Sequence, residues 1–120
     1  MPKVLVYEPR VETTGASIAR MLERRGAEVT LEGDPRSAAN TISDEVFDAV
    51  FASITCGEDF RVIDAAQDAG IKGSRIGVVI FPEVWALEDI LSDDIVKIPI
   101  TDVRRQLQMI YNVVGVGEVY

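Results

Sequence analysis

A chain of 120 residues, 48% of them hydrophobic and with a mean hydropathy of +0.15, can bury the core of one compact domain and is too short for two. Its 20 acidic against 12 basic residues leave a net charge of -8, which argues against nucleic acid and anionic membranes as partners, since both need a cationic face. With no histidine and a single cysteine, His-ligated metal sites, Ser-His catalysis, phosphotransfer through histidine and an internal disulfide are excluded; together with the lack of a signal-like or membrane-spanning apolar run, this implies a cytoplasmic setting.

In chain order, Lys3-Val4-Leu5-Val6-Tyr7 is a β-rich run that Glu8-Pro9-Arg10 ends, because proline cannot continue a central ladder. Thr13 or Thr14 can cap a first helix, with Ile18, Met21 and Leu22 at helical spacing and Arg24-Arg25-Gly26 closing it. Glu28 to Glu32 alternates polar and apolar as an edge strand does, and Gly33-Asp34-Pro35 starts a second helix through Ala38 and Ile42. Phe47 to Ser53 is apolar almost throughout, the pattern of a strand buried on both faces, and it delivers Ser53 to its carboxyl end. Open parallel sheets place ligands and chemistry there.

Beyond Gly57, the acids Glu58 and Asp59 suit a helix amino end, and Phe60, Ile63 and Ala66 continue at helical spacing as a third helix. Arg75 to Phe81 is another buried strand. Pro82 opens a predicted fourth helix with Val84, Leu87 and Leu91 on one stripe. Asp94 to Ile98 is a short fifth strand that Pro99 ends, and Thr101 caps a last helix with Val103, Leu107, Ile110 and Val114 inward. Alternating strands and helices with short links predict an α/β domain spanning residues 1–120, a doubly wound parallel sheet with helices on both faces.

The order of elements, Lys3 to Val6 followed by Glu8-Pro9-Arg10, and Phe47-Asp48-Ala49-Val50-Phe51-Ala52 together resemble a response-regulator receiver domain, CheY-like, over nearly the whole chain. The resemblance implies a flavodoxin-like five-stranded sheet of order 2-1-3-4-5. It also implies a phosphorylation site from which this chain departs. The acid pair after strand one is reduced to Glu8, the phosphoacceptor aspartate falls on Ser53, and the hydroxyl that ends strand four falls near Phe81-Pro82. Lys97 remains, one residue out of step with Pro99. Glu8 alone is a weak Mg²⁺ site, and a serine hydroxyl needs a base that a chain without histidine does not offer. Glu8, Ser53 and Lys97 thus read as a vestigial site with no metal, no cofactor and no catalytic residue, and the resemblance implies a pseudo-receiver: fold kept, phosphotransfer lost.

Ser53 reads as a small residue suited to a strand end, so that Ser53→Ala is expected to change stability by less than about 0.5 kcal/mol, as at an ordinary surface position. Lys97 either reaches solvent or pairs with Glu8, and Cys56 lacks a base or clustered cations that would favour the thiolate. Trp85 lies off the apolar stripe of the fourth helix and is expected to be partly exposed; Met109 and Tyr111 either widen the buried face of the last helix or, with Arg104 and Arg105, reach a partner. Receivers commonly use the face made of helix four, strand five and helix five for dimers and partners, so the resemblance puts the interface at Trp85, Arg104, Arg105 and Met109. Thr14-Gly15-Ala16-Ser17 partly resembles the phosphate loop of flavodoxins, with Glu12 where a hydroxyl is expected, a carboxylate that repels phosphate. The expectation is therefore a non-enzymatic signalling domain acting by protein–protein contact. The alternatives are a receiver switched by Ser53 modification or by a small ligand at Glu8, Ser53 and Lys97, and a flavin-binding protein.

Overall fold

A computed structural model describes residues 2–98 and 103–115. Five parallel strands, β1 (Lys3–Tyr7), β2 (Glu28–Glu32), β3 (Ala49–Ile54), β4 (Ile76–Ile80) and β5 (Val96–Lys97), form one sheet in the order β2-β1-β3-β4-β5. Helices α1 (Ala16–Arg24), α2 (Pro35–Asp44), α3 (Phe60–Asp68) and α4 (Val103–Val114) connect or follow them. The registers Val4 with Val29, Leu5 with Val50 and Ser53 with Val79 bring the ends of β1, β3 and β4 level.

Because successive side chains of a strand point to opposite faces, each strand feeds two cores. Leu5, Tyr7, Val50, Ala52, Ile54 and Val78 pack with α2 and α3, whereas Val4, Val6, Phe51 and Val79 pack with α1 and α4. All six residues of β3 are buried, as its uninterrupted apolar run predicts. Gly77 lets α4 come close: a Cβ there would lie 2.9 Å from the Ile98 Cδ1 and 3.2 Å from the Val113 Cγ2. The two inward positions of α4 that are described, Ile110 and Val114, are buried; Pro99, Thr101, the side chains of Val103 and Leu107, and residues 116–120 lie outside the described residues.

Two local expectations are corrected. Neither Thr13 nor Thr14 caps α1. Residues Val11–Gly15 instead make a wide π-helical turn in which the Arg10 carbonyl accepts from the Thr13 and Gly15 amides at 3.3 and 2.9 Å, so a backbone oxygen takes the first amides of the turn. Pro82 opens no regular fourth helix. Pro82–Ile90 is 3₁₀ and is broken at Val84, where φ is -126° and ψ 16°. The Val84 amide donates to the Phe81 carbonyl at 3.0 Å, the three-residue bond of a tight turn, and the Trp85 indole N–H donates to the Ile80 carbonyl at 3.0 Å, which ties the segment to the end of β4 in place of a regular helical path. The intended stripe still packs, with Val84 and Leu87 half-buried and Leu91 buried against the α2/α3 core.

Candidate functional site

Beyond the last residue of β1, the Glu8 amide continues the ladder by donating to the Glu32 carbonyl at 3.0 Å, and the side chain turns toward the α1/α4 face with only 1% of its surface exposed. Proline at position 9 then bends the chain, and Arg10 folds back. Its backbone N–H and its Nε each donate to Glu8 Oε1 at 3.0 Å, its Nη2 donates to Oε2 at 3.3 Å, and the guanidinium lies 4.7 Å from the centre of the Phe81 ring. Ser53 completes the cluster from β3, its hydroxyl donating to Glu8 Oε2 at 2.5 Å. Both carboxylate oxygens are therefore engaged, and the buried charge is matched by one guanidinium that also stacks on an aromatic face.

This geometry decides among the residues singled out in the sequence. Glu8 and Ser53 do meet. Lys97 does not join them: it lies on β5, beyond β4 and β3 from the strand that carries Glu8, and the cation on Glu8 is Arg10. Ser53 is not an ordinary surface position, because it is 2% exposed and its hydroxyl is spent on Glu8. The Arg10 role was missed in the sequence; the signal was a carboxylate and a guanidinium two residues apart across a proline that fixes the bend.

A second polar unit, also missed, occupies the opposite face. Asp59 is 2% exposed, and its carboxylate accepts from the Tyr7 hydroxyl, from the Thr55 amide at 2.7 Å and hydroxyl at 2.8 Å, and from the Cys56 amide at 3.2 Å. It closes the turn Gly57–Asp59 and so sets the path by which β3 enters α3. Burial, followed by the hydrogen bond to the Asp59 carboxylate, pushes the Tyr7 phenol well above its ordinary value of 10.0. Cys56 itself is exposed.

These donor sets do not fit the Mg²⁺ site of a receiver. Glu8 and Asp59 face opposite sides of the sheet with their oxygens already occupied, and among the described residues no three acidic, histidine or cysteine side chains cluster so as to hold a metal ion.

Between α1 and α4, over the ends of β1, β3 and β4, a cleft of about 610 Å³ opens. Its polar wall comprises Glu8, Arg10, Thr13, Thr14, Ser17 and Ser53, and its apolar wall Ile18, Met21, Phe51, Val79, Phe81 and Ile110, with Gln106 contributed by α4. It lies at the point between β1 and β3 where the strand order reverses, the position at which doubly wound sheets take ligands.

On the surface, Trp85 is 53% and Ile90 65% exposed. Met109 and Tyr111 are half-buried against the α1/α4 core, and the Arg25 guanidinium lies 4.2 Å from the centre of the Tyr111 ring. The side chains of Arg104 and Arg105 lie outside the described residues.

Sheet order and layers are those of the flavodoxin-like receiver fold. No protein-family model matches the chain, and no curated protein matches it. Among solved structures, the receiver domain of the Francisella response regulator 1452 is similar to it with a TM-score of 0.67 at 15% sequence identity, over 96% of this chain and 98% of that one. At that identity the likeness is one of fold.

Proposed function

We propose that this chain is a signalling domain of receiver fold that works without phosphorylation, through contact with a protein partner, and that it has no catalytic activity of its own. The observation that supports this reading is the Glu8–Arg10–Ser53 cluster. Where the resemblance puts an acid pair and a phosphoacceptor aspartate, this chain has one carboxylate neutralised by a guanidinium and a buried hydroxyl that donates to it. A serine so placed offers no acyl phosphate chemistry, and the one carboxylate that accepts its proton is already bound by the Arg10 guanidinium. Modification of Ser53 would further require breaking its bond to Glu8 and admitting a modifying enzyme to a side chain 2% exposed.

The contact surface is centred on Trp85. A half-exposed indole on an irregular segment, with exposed Ile90 on the same segment, gives a large amphipathic anchor of the kind that dominates interface energetics. Met109, Arg104 and Arg105 of α4 are the further contributors, and the partner is a pathway protein or a second copy of the chain. The test is amide chemical-shift mapping with acetyl phosphate or beryllofluoride plus Mg²⁺ at millimolar levels. Unshifted Glu8 and Ser53 amides are expected; saturable shifts at both would overturn the reading.

A further inference from the structure

We infer that the cleft between α1 and α4 binds a small uncharged molecule with an apolar body and a hydroxyl, amide or carbonyl end. This goes beyond the protein contact proposed above, which uses a different surface. The size fits: about 610 Å³ lies within the range of roughly 300–1,000 Å³ typical of small-molecule sites. The walls are preformed, since Phe51, Val79 and Ile110 are at most 3% exposed and held by the core behind them.

The charge pattern selects the chemistry. Among the described lining residues the one anion is Glu8 and the one cation is Arg10, and they are spent on each other. An ion entering the cleft would lose its hydration against an apolar wall without gaining a free counter-charge from the described lining residues. A neutral ligand has no such cost. Thr13 and Thr14 on the approach to α1, Ser17 in its first turn and Gln106 opposite can each donate or accept, so they can hold one polar end of either kind. Ile18, Met21, Phe51 and Phe81 supply the surface for the apolar body.

The probe for this site is N-phenylnaphthylamine, a neutral amphiphile that fluoresces on leaving water, with the anionic anilinonaphthalene sulfonate as its charged counterpart. Saturable binding of the neutral probe, preferred over the anion, is expected. In protein carrying methyl-labelled methionine, the Met21 signal should shift on addition of the probe while that of Met109, outside the cleft, stays in place. Ser17→Trp, at an exposed rim position, should weaken the neutral probe by about tenfold with the circular dichroism spectrum unchanged. Glu8→Gln, which leaves Arg10 unopposed, should turn the preference toward the anion. The inference is overturned if the neutral probe does not saturate, if the wild-type protein prefers the anion, or if binding leaves Met21 unmoved; should Ser17→Trp fail to fold, the Met21 shift and the charge preference of the wild type still decide.

Discussion

Replacing Ser53 by alanine tests the central cluster most directly. The hydroxyl is one of two donors to Glu8 Oε2, and the other, Arg10 Nη2, is longer at 3.3 Å against 2.5 Å. Removing it leaves the carboxylate of a residue only 1% exposed with the longer Arg10 bond alone at Oε2. A hydrogen bond to a charged group contributes roughly 1.5–3 kcal/mol, so a loss of about 2 kcal/mol is expected in place of the near-neutral change that a surface serine would show. At about 2.1 cal/mol/K of unfolding entropy per residue, that corresponds to a fall in Tm of about 8 °C for a chain of this length. Urea unfolding at neutral pH, followed by circular dichroism, measures it. The same substitution in a Glu8→Met background, where the hydroxyl has no acceptor, should cost at least about 1 kcal/mol less, the signature of direct coupling. A Ser53→Ala loss below about 0.5 kcal/mol, or one of equal size in both backgrounds, would refute the view that the cluster is held by this bond.

Trp85→Ala should lower stability by only about 1 kcal/mol, through loss of the indole bond to the Ile80 carbonyl, yet weaken a partner complex or self-association by about 2 kcal/mol or more in a titration or sedimentation experiment. Gly77→Ala should cost about 1–3 kcal/mol in urea unfolding, because the added methyl meets the stiff Val113 side chain at 3.2 and 3.3 Å and α4 must move outward. The raised Tyr7 phenol predicts a pH dependence. The folded state favours the neutral phenol, so its contribution is fully present below the ordinary value of 10.0 and is lost as the pH rises above it. The urea midpoint of the wild type should therefore fall above about pH 10 more steeply than that of Tyr7→Phe, which lacks the group that titrates.

How much of this was legible without coordinates depends on how far apart the deciding atoms are. The burial of β3 on both faces and the edge position of β2 follow from residue patterns within five or six positions, because a strand's side-chain period is short and local. The start of α2 at Gly33-Asp34-Pro35 is likewise a local matter: Pro35 is its first residue, and Asp34 accepts from the Ser37 amide at 2.9 Å. The segment after β4 shows where local reasoning yields. The spacing of Val84, Leu87 and Leu91 suits a regular helix, but the bond from the Trp85 indole to the end of the strand outweighs that preference.

The sequence by itself determined the α/β class and, through alternating strands and helices, the carboxyl edge on which polar residues gather. It placed Glu8 and Ser53 at that edge. Only the tertiary structure decided what they do there. Ser53 and Glu8 are 45 residues apart and Tyr7 and Asp59 are 52 apart, so each bond exists only because strand register brings the ends of β1 and β3 level. The pleat sent Glu8 to one face and Tyr7 to the other, and the reversal at Pro9 brought Arg10 to Glu8 while the sheet order kept Lys97 strands away. A side chain's partner in a parallel sheet is set by pairing across the fold, and that information is spread over the whole chain, not held in the residues on either side.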